Sequence, residues 1–196
     1  MNGEIIKKNN FSSSLSLIPN FLSMNILTRL KPVKTFVFDM DGVLTDGSLV
    51  IDSDGNWLRR MNIKDGYALQ LAIKKGYRVV VISGANTEAV KIRLNKLGVQ
   101  DVFLQVDNKE QRLSEYMMTH QLEWKEILFM GDDIPDYAVM KKAGLSCAPA
   151  DAVGAIRDIA KYISTLEGGK GCVRDVIEKV LKLNGHWEID TSVASK

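Results

Sequence analysis

A series of short apolar runs separated by helical patterns most constrains how this chain folds. Runs of this kind, rich in Val, Ile, Leu and Phe, are typical of strands that are buried on both faces of a sheet. They lie at residues 34–38, 78–82, 102–106, 127–130, 145–148 and 162–164. Because polar or turn residues follow each run directly, several chemically active groups are expected at the ends of strands.

Helical patterns fill most of the gaps between these runs. They span residues 67–75, 87–97, 109–120, 136–142, 153–160 and 173–183. Gly76, Gly98 and Gly144 follow the last turns of three of them, as is common at the C-terminal ends of helices. The alternation of strands and helices predicts an α/β fold in which a parallel sheet is flanked by helices on both faces.

One segment interrupts the alternation. Residues 49–51 and 57–61 are short strand-like runs around Asp54-Gly55, which is a hairpin signal. We therefore expect a small β-hairpin flap over about residues 48–61 and no large cap domain. A hairpin at this point would project over the carboxyl edge of the sheet, where open α/β folds bind their ligands.

The two ends of the chain differ from its regular part. Residues 1–32 contain a Ser-rich stretch and are broken by Pro19 and Asn20, which favours a frayed extension or a short docking helix over a signal peptide. The regular pattern predicts one domain over residues 33–183, followed by a C-terminal tail at 184–196.

Composition excludes several classes of protein. The 26 Lys and Arg residues nearly balance the 24 Asp and Glu residues, and this net charge of +2 does not favour nucleic-acid binding. The sequence has no apolar run of about 18 residues, so we expect no membrane span. Cys147 and Cys172 are too few for a disulfide scaffold or a four-Cys zinc site and favour a cytoplasmic protein with reduced thiols.

Polar side chains follow four of the predicted strands. Each alone is an ordinary turn, helix cap or surface residue, but together they put five acids, a hydroxyl and a lysine at one edge of a sheet. Such a density of carboxylates calls for a hard divalent cation, and oxygen ligands favour Mg²⁺. The candidates are Asp39, Asp41, Ser83, Gly84, Lys109, Asp132, Asp133 and Asp136.

These groups divide into the roles that phosphoryl transfer needs. One carboxylate can attack phosphorus, and a second, two residues further on, can protonate the leaving oxygen and later activate water. Backbone N–H groups, a hydroxyl and an ammonium can hold the phosphoryl oxygens, and a metal ion offsets the repulsion between nucleophile and phosphate.

The same residues resemble the four motifs of the haloacid dehalogenase (HAD) phosphatases over about residues 33–183. The segments that carry the resemblance are Asp39-Met40-Asp41-Gly42-Val43, Ser83, Lys109 and Gly131-Asp132-Asp133-Ile134-Pro135-Asp136. The resemblance implies a Rossmann-like HAD core. It also implies that Asp39 is the nucleophile and Asp41 the general acid and base, while Ser83 and Lys109 bind the phosphoryl group. The implied Mg²⁺ ligands are Asp39, the Asp41 carbonyl and Asp132, supported by Asp133 and Asp136.

A narrower resemblance is to the 3-deoxy-D-manno-octulosonate 8-phosphate (KDO 8-phosphate) phosphatases. It is carried by the short hairpin, by residues 62–66 and by the Gly-rich segment 168–174. It implies a cytoplasmic enzyme of lipopolysaccharide biosynthesis, and a homotetramer whose hairpin and C-terminal segment help to close active sites across subunits. The implied substrate-binding residues are Asp41, Asn62, Ile63, Lys64, Asp65, Gly66, Gly84, Arg93, Lys109 and Arg174.

Three departures from the usual pattern keep a second substrate open. Lys64 stands where that family usually has Arg, Ala85 where Arg is common, and Gln70 where a basic residue is common. Lys keeps the charge of Arg but loses its bidentate fork. A nine-carbon keto-deoxy sugar acid 9-phosphate is therefore the alternative substrate.

A receiver-like phospho-signalling module is the alternative outside enzymes. It needs a phospho-accepting Asp on a later strand, for which Asp107 is the candidate. The position of Asp39 and Asp41 after the first strand favours the phosphatase.

Overall fold

A computed structural model describes residues 25–193 of the chain. In this part of the chain six strands form one parallel sheet, and two more form a separate antiparallel hairpin. The strands are β1 (Thr35–Phe38), β2 (Val50–Ile51), β3 (Trp57–Leu58), β4 (Arg78–Ile82), β5 (Asp101–Phe103), β6 (Ile127–Met130), β7 (Leu145–Ala148) and β8 (Tyr162–Ile163). The α-helices are α1 (Ile26–Leu30), α2 (Ile63–Lys74), α3 (Glu88–Lys96), α4 (Lys109–His120), α5 (Tyr137–Lys142), α6 (Gly154–Ile159) and α7 (Cys172–Leu183). Over the same residues, none of the helices is both long and apolar enough to cross a membrane.

The sheet has the strand order β5-β4-β1-β6-β7-β8, with β1 near its middle. Phe38 at the end of β1 is paired in register with Val81 on β4 and with Met130 on β6. Because the strand order reverses at β1, the carboxyl end of this strand opens into the crevice where such sheets bind ligands. Between β1 and α2 the chain forms the β2–β3 hairpin, and residues 25–193 contain no large cap domain, so the predicted fold class is confirmed.

Helices cover both faces of the sheet, which explains why its strands read as continuous apolar runs. Successive side chains of a strand point to opposite faces. Phe36 and Phe38 are buried on the face covered by α2, α3 and α7, whereas Val37 is buried on the face covered by α4, α5 and α6. The central strands therefore have no solvent-facing side that would call for alternating polar residues.

Several elements differ in length from the sequence-based prediction, and the structure gives the cause for α2 and β5. Helix α2 begins at Ile63 rather than at residue 67, because the side chain of Asn62 accepts a hydrogen bond from the backbone N–H of Lys64 at 2.9 Å and caps the helix earlier. Strand β5 ends at Phe103 rather than near residue 106. Gln105 has a φ of +56°, a left-handed conformation that does not continue a strand.

Both described ends of the chain pack on the domain. Leu30 of α1 is buried in the core that α7 also lines. After α7 the chain crosses α2, where Lys74 forms a 2.6 Å ion pair with Asp190 and the ring of Tyr67 meets that of Trp187 edge-on. Of the predicted extension at 1–32 and tail at 184–196, residues 1–24 and 194–196 lie outside the described part.

Candidate active site

The turn after β1 presents two carboxylates at the centre of the sheet edge. Asp39 is buried, and its backbone N–H continues the strand ladder to the carbonyl oxygen of Met130 at 3.0 Å. Gly42 then turns the chain with a φ of +85°, a conformation that costs glycine little. A Cβ atom at Gly42 would lie 2.1 Å from Oδ2 of Asp132. A glycine here therefore also lets the turn after β1 approach the loop after β6 closely.

Lys109 connects two of the carboxylates. Its Nζ lies 2.8 Å from Oδ1 of Asp39 and 2.7 Å from Oδ1 of Asp136, and its side chain is 5% exposed. It is the first residue of α4, which the side chain of Asn108 caps through the N–H of Gln111. Burial alone would lower the pKa of Lys109, but the two adjacent carboxylates raise it above its ordinary value. The ammonium therefore stays charged beside the nucleophile candidate.

The loop after β6 holds the other acids in different environments. Asp136 is fully buried, and its Oδ2 accepts hydrogen bonds from the backbone N–H groups of Asp132 at 3.1 Å and Asp133 at 3.4 Å. Asp133 is exposed and caps the following 3-10 turn by accepting the N–H of Ile134 at 2.8 Å. Both oxygens of Asp136 are thus used within the protein, which makes it a support for the loop.

Asp39, Asp132 and Asp136 form a cluster with unbalanced negative charge. One oxygen from each lies within 4.8 Å of the others. Burial, with repulsion from Asp136, raises the pKa of Asp39 to about 6, and burial, with repulsion from Asp39, raises the pKa of Asp132 to about 8. Oδ1 of Asp132 is buried without a hydrogen-bond partner among residues 25–193. A hard divalent cation such as Mg²⁺ fits this donor set, because it would use the unpaired oxygen and offset the charge.

Asp41 lies outside this cluster of three acids and meets Arg59 of the hairpin. Nε of Arg59 donates to Oδ1 of Asp41 at 2.8 Å, and Nη2 donates to Oδ2 at 3.0 Å. The hydroxyl of Thr45 donates to Oδ1 at 3.1 Å. Sequence reasoning missed Arg59, and the one signal that pointed toward such a partner was the need of a partly buried carboxylate for a counter-charge.

Ser83 follows β4, the strand next to β1. Its side chain is buried, and its Oγ accepts the backbone N–H of Ala85 at 3.1 Å. Its backbone N–H donates a hydrogen bond to the carbonyl oxygen of Phe103, and its own carbonyl oxygen accepts one from the N–H of Val106. These two bonds fix the turn after β4. Gly84 is exposed beside it. The structure therefore brings Ser83 and Gly84 to the same sheet edge as Asp39.

The predicted substrate segment 62–66 contains both structural and exposed residues. Asn62 caps α2, as described above, while Ile63 and Lys64 are exposed. Asp65 is 2% exposed, and its Oδ1 accepts the backbone N–H of Arg174 at 2.8 Å, so it links the first turns of α2 and α7. Gly66 is buried.

Arg174 and Arg93 line two separate clefts. The guanidinium carbon of Arg174 lies 5.6 Å from the ring centre of Tyr67 and 5.5 Å from that of Trp187. It lines a cleft of about 320 Å³ together with Lys64. Arg93 lines a second cleft of about 500 Å³ between α3 and the hairpin. Neither cleft is lined by Asp39 or Lys109, so within one chain the structure does not bring these arginines to the carboxylate cluster.

The Gly-rich segment before α7 packs on the turn after β1. A Cβ atom at Gly168 would lie 2.0 Å from the carbonyl oxygen of Gly42, and the N–H of Gly169 donates to the carbonyl oxygen of Val43 at 2.9 Å. This segment therefore braces the backbone that carries Asp39 and Asp41.

Comparisons with known proteins agree with this geometry, although no family model matches the chain. The 3-deoxy-D-manno-octulosonate 8-phosphate phosphatase of Salmonella typhi is 30% identical over 173 residues, covering 88% of this chain and 92% of the relative. A solved structure of such a phosphatase from Moraxella catarrhalis, in complex with magnesium ion, phosphate ion and a KDO molecule, has a TM-score of 0.79 and 30% identity. It covers 82% of this chain and 92% of the other.

A third comparison extends the likeness to the wider superfamily. A structure from Legionella pneumophila that is assigned to the HAD superfamily, subfamily III A, has a TM-score of 0.81 and 31% identity. It covers 83% of this chain and 90% of the other. Sequence relatives and structural neighbours thus agree, and the chain belongs to the 3-deoxy-D-manno-octulosonate 8-phosphate phosphatase family, a family of phosphoric monoester hydrolases in the HAD superfamily.

Proposed function

We propose that this chain hydrolyses KDO 8-phosphate to KDO and phosphate through an aspartyl-phosphate intermediate on Asp39, with Mg²⁺ as cofactor. The observation that carries the proposal is the buried cluster in which Lys109 bridges Asp39 and Asp136 beside the unpaired oxygen of Asp132. The relatives' names give the substrate, and the Moraxella structure contains magnesium, phosphate and KDO together.

The reaction takes two steps at the turn after β1. In the first, a carboxylate oxygen of Asp39 attacks phosphorus, and the bond between phosphorus and the sugar oxygen breaks. Asp41 gives a proton to the leaving sugar oxygen. In the second, Asp41 takes a proton from water, whose oxygen attacks phosphorus, and the bond between phosphorus and the Asp39 oxygen breaks. Phosphate is released, and both carboxyl groups return to their starting forms.

The surrounding groups hold the phosphoryl oxygens and the metal. In this proposal Lys109 and Ser83 bind the phosphoryl group. Asp39, the backbone carbonyl of Asp41 and Asp132 would hold Mg²⁺. When bound, the ion supplies positive charge that offsets repulsion between the nucleophile and the phosphate. Asp133 and Asp136 support the metal loop, which agrees with the hydrogen bonds that Asp136 makes to backbone N–H groups of that loop.

The sugar-acid part of the substrate needs positive charge. Lys64 and Arg174 line one cleft, and their two cations suit the carboxylate of a keto-deoxy sugar acid. Because this cleft does not reach Asp39 within one chain, we assign it to the active site of a neighbouring copy in the proposed tetramer. Arg93 is the third cation that we assign to the substrate. We assign the remaining contacts of the sugar acid to Asn62, Ile63, Asp65, Gly66 and Gly84.

A nine-carbon keto-deoxy sugar acid 9-phosphate is the second candidate substrate. It stays a candidate because Lys64, Ala85 and Gln70 depart from the usual pattern of the family. Ranking kcat/KM for the eight-carbon and nine-carbon phosphates, with an aryl phosphate as reference, decides between the two. A preference for the nine-carbon compound would refute KDO 8-phosphate as the substrate.

The intermediate is tested separately from the substrate. Acid quenching of turnover with ³²P-labelled substrate should trap label on the wild-type chain and none on an Asp39→Asn variant. Stable labelling without release of phosphate would instead support a receiver-like module. Turnover without any labelled protein would refute the covalent step.

We also propose that the enzyme is a homotetramer that acts in lipopolysaccharide biosynthesis in the cytoplasm. The exposed apolar side chains of the hairpin, such as Ile51 and Trp57, which are 64% and 60% exposed in one chain, support burial against further copies. The buried free thiols of Cys147 and Cys172 agree with a reducing compartment.

A further inference from the structure

The strongest contact between the hairpin and the turn after β1 is the fork between Arg59 and Asp41. Besides the two contacts given above, Nε of Arg59 lies 3.1 Å from Oδ2 of Asp41, so both carboxylate oxygens are bound. The side chain of Arg59 is 6% exposed, whereas that of Asp41 is 34% exposed. The guanidinium is therefore covered by protein, while the carboxylate it holds remains partly open to solvent.

This arrangement fixes the carboxylate more tightly than a single contact would. A bidentate arginine restrains both the position and the plane of a carboxylate, and the hydroxyl of Thr45 adds a third restraint on Oδ1. A group that moves a proton to a reacting oxygen must lie within hydrogen-bond reach of it, and a misplacement of about 1 Å costs on the order of 100-fold in rate.

We propose that Arg59 is a positioning residue for the phosphatase reaction and that it acts through Asp41. The fork binds the ionised carboxylate, which is the form that takes a proton from the attacking water in the second step. In the first step one oxygen of Asp41 carries the proton for the leaving sugar oxygen, and Arg59 holds the other. The inference rests on the proposed role of Asp41 and gives the hairpin a second task besides covering the site. Arg59 touches Asp41 and is not assigned a contact with the substrate.

The test uses the leaving group of the substrate. A sugar oxygen leaves as a strongly basic alkoxide and needs the proton from Asp41, whereas the 4-nitrophenolate of 4-nitrophenyl phosphate leaves without one. Arg59→Ala should therefore slow the first step, measured in a single turnover as transfer of the phosphoryl group to Asp39, by about 10- to 100-fold for KDO 8-phosphate and much less for the aryl phosphate. Hydrolysis of the intermediate is the same reaction for both substrates and should slow equally, and KM for both should stay nearly unchanged. Arg59→Lys keeps the charge but loses the fork, and should recover part of the lost rate.

Arg60 provides a matched control on the same hairpin. Its side chain is 79% exposed, and its nearest acidic partner, Asp46, is 3.9 Å away. Arg60→Ala should leave both kcat values close to those of the wild type. An Asp41→Asn/Arg59→Ala double variant should be no slower on the sugar phosphate than Asp41→Asn alone, because both changes remove the same function.

Five results would overturn the inference. Equal losses of Arg59→Ala on both substrates in the first step, with a lower Tm, mean that Arg59 only anchors the hairpin. A rise in KM at constant kcat means that it binds the substrate instead, and rates equal to those of Arg60→Ala mean that it has no role. If Asp41→Asn itself fails to discriminate between the two leaving groups, the proposed acid role of Asp41 falls, and this inference falls with it. If Asp41→Asn slows the sugar phosphate more than the aryl phosphate but Arg59→Ala does not, the inference about Arg59 is refuted while the proposed role of Asp41 stands.

Discussion

Replacing Asp65 with Asn should stabilise the folded chain at neutral and alkaline pH. Oδ1 of Asp65 accepts the N–H of Arg174, while Oδ2 is buried and makes no hydrogen bond to the described part of the chain. Burial raises the pKa of Asp65 from 3.8 to about 6, against the smaller opposing effect of Arg174. Asn keeps the acceptor for Arg174 and cannot ionise, so it imitates the protonated form of Asp65.

The size and sign of the effect follow from this pKa. Because the pKa is higher in the folded chain than in the unfolded chain, the contribution of Asp65 to stability is complete below about pH 4 and is lost as the pH rises through about 6. A difference of about two pKa units corresponds to about 3 kcal/mol of the free energy of unfolding at pH 8. Asp65→Asn removes this loss.

Urea unfolding of the wild type and the variant at pH 4 and pH 8, at equal protein concentration, measures the effect. The variant should be more stable by up to about 3 kcal/mol at pH 8, and the difference should shrink toward zero at pH 4. Asp158→Asn, on the exposed side of α6, is the control and should change the stability by less than about 0.5 kcal/mol at both pH values. A gap that is independent of pH, or a variant less stable than the wild type at pH 8, would refute the reasoning.

Four further predictions concern the site and the assembly. Asp39→Asn should lower turnover by at least about 100-fold in a folded protein, and a variant that keeps half its activity would contradict the nucleophile assignment. A chelator should abolish activity, Mg²⁺ should restore it and Ca²⁺ should do so poorly because of its looser geometry; full activity in excess chelator would exclude the proposed mechanism. Gly42→Ala should raise the Mg²⁺ concentration needed for half-maximal activity, because the new Cβ would lie 2.1 Å from Oδ2 of Asp132; an unchanged Mg²⁺ titration would count against the metal site. Leu49→Lys and Trp57→Glu should lower both the mass seen by light scattering and the activity, and a fully active monomer would show that the hairpin needs no partner copy.

The strands of the sheet could be predicted because strands that are buried on both faces have continuous runs of apolar residues. The run 34–38 predicted β1, and the run 127–130 predicted β6, since strands covered by helices on both sides need apolar residues at every position. The acids after these strands could be predicted to meet, because the carboxyl ends of parallel strands share one edge. Lys109 was a candidate from its place after a predicted strand, the resemblance gave its role, and the structure places its Nζ between Asp39 and Asp136.

Contacts that depend on the path of irregular segments could not be predicted in the same way. Arg59 lies in a two-stranded hairpin, whose sequence carries no periodicity that would fix where its side chains point. Asp65 was expected to face the substrate, but one of its oxygens binds the backbone of α7, a helix that follows much later in the chain. The packing of Trp187 on Tyr67 likewise depends on how the chain after α7 crosses α2.

The position of β1 in the sheet also bears on the stage of folding at which the active-site residues come together. Residue 35 pairs with residue 78 on one side and residue 127 on the other, so the two ladders around β1 join parts of the chain that are far apart in sequence. Closing such long loops lowers the entropy of the chain before the new contacts stabilise it. Parallel strand pairing is therefore slow compared with helix formation. We therefore expect Asp39 to meet Lys109 and Asp132 only after these long-range pairings have formed. Recovery of catalysis on refolding is therefore a late event, and it reports completion of the central sheet rather than formation of the individual helices.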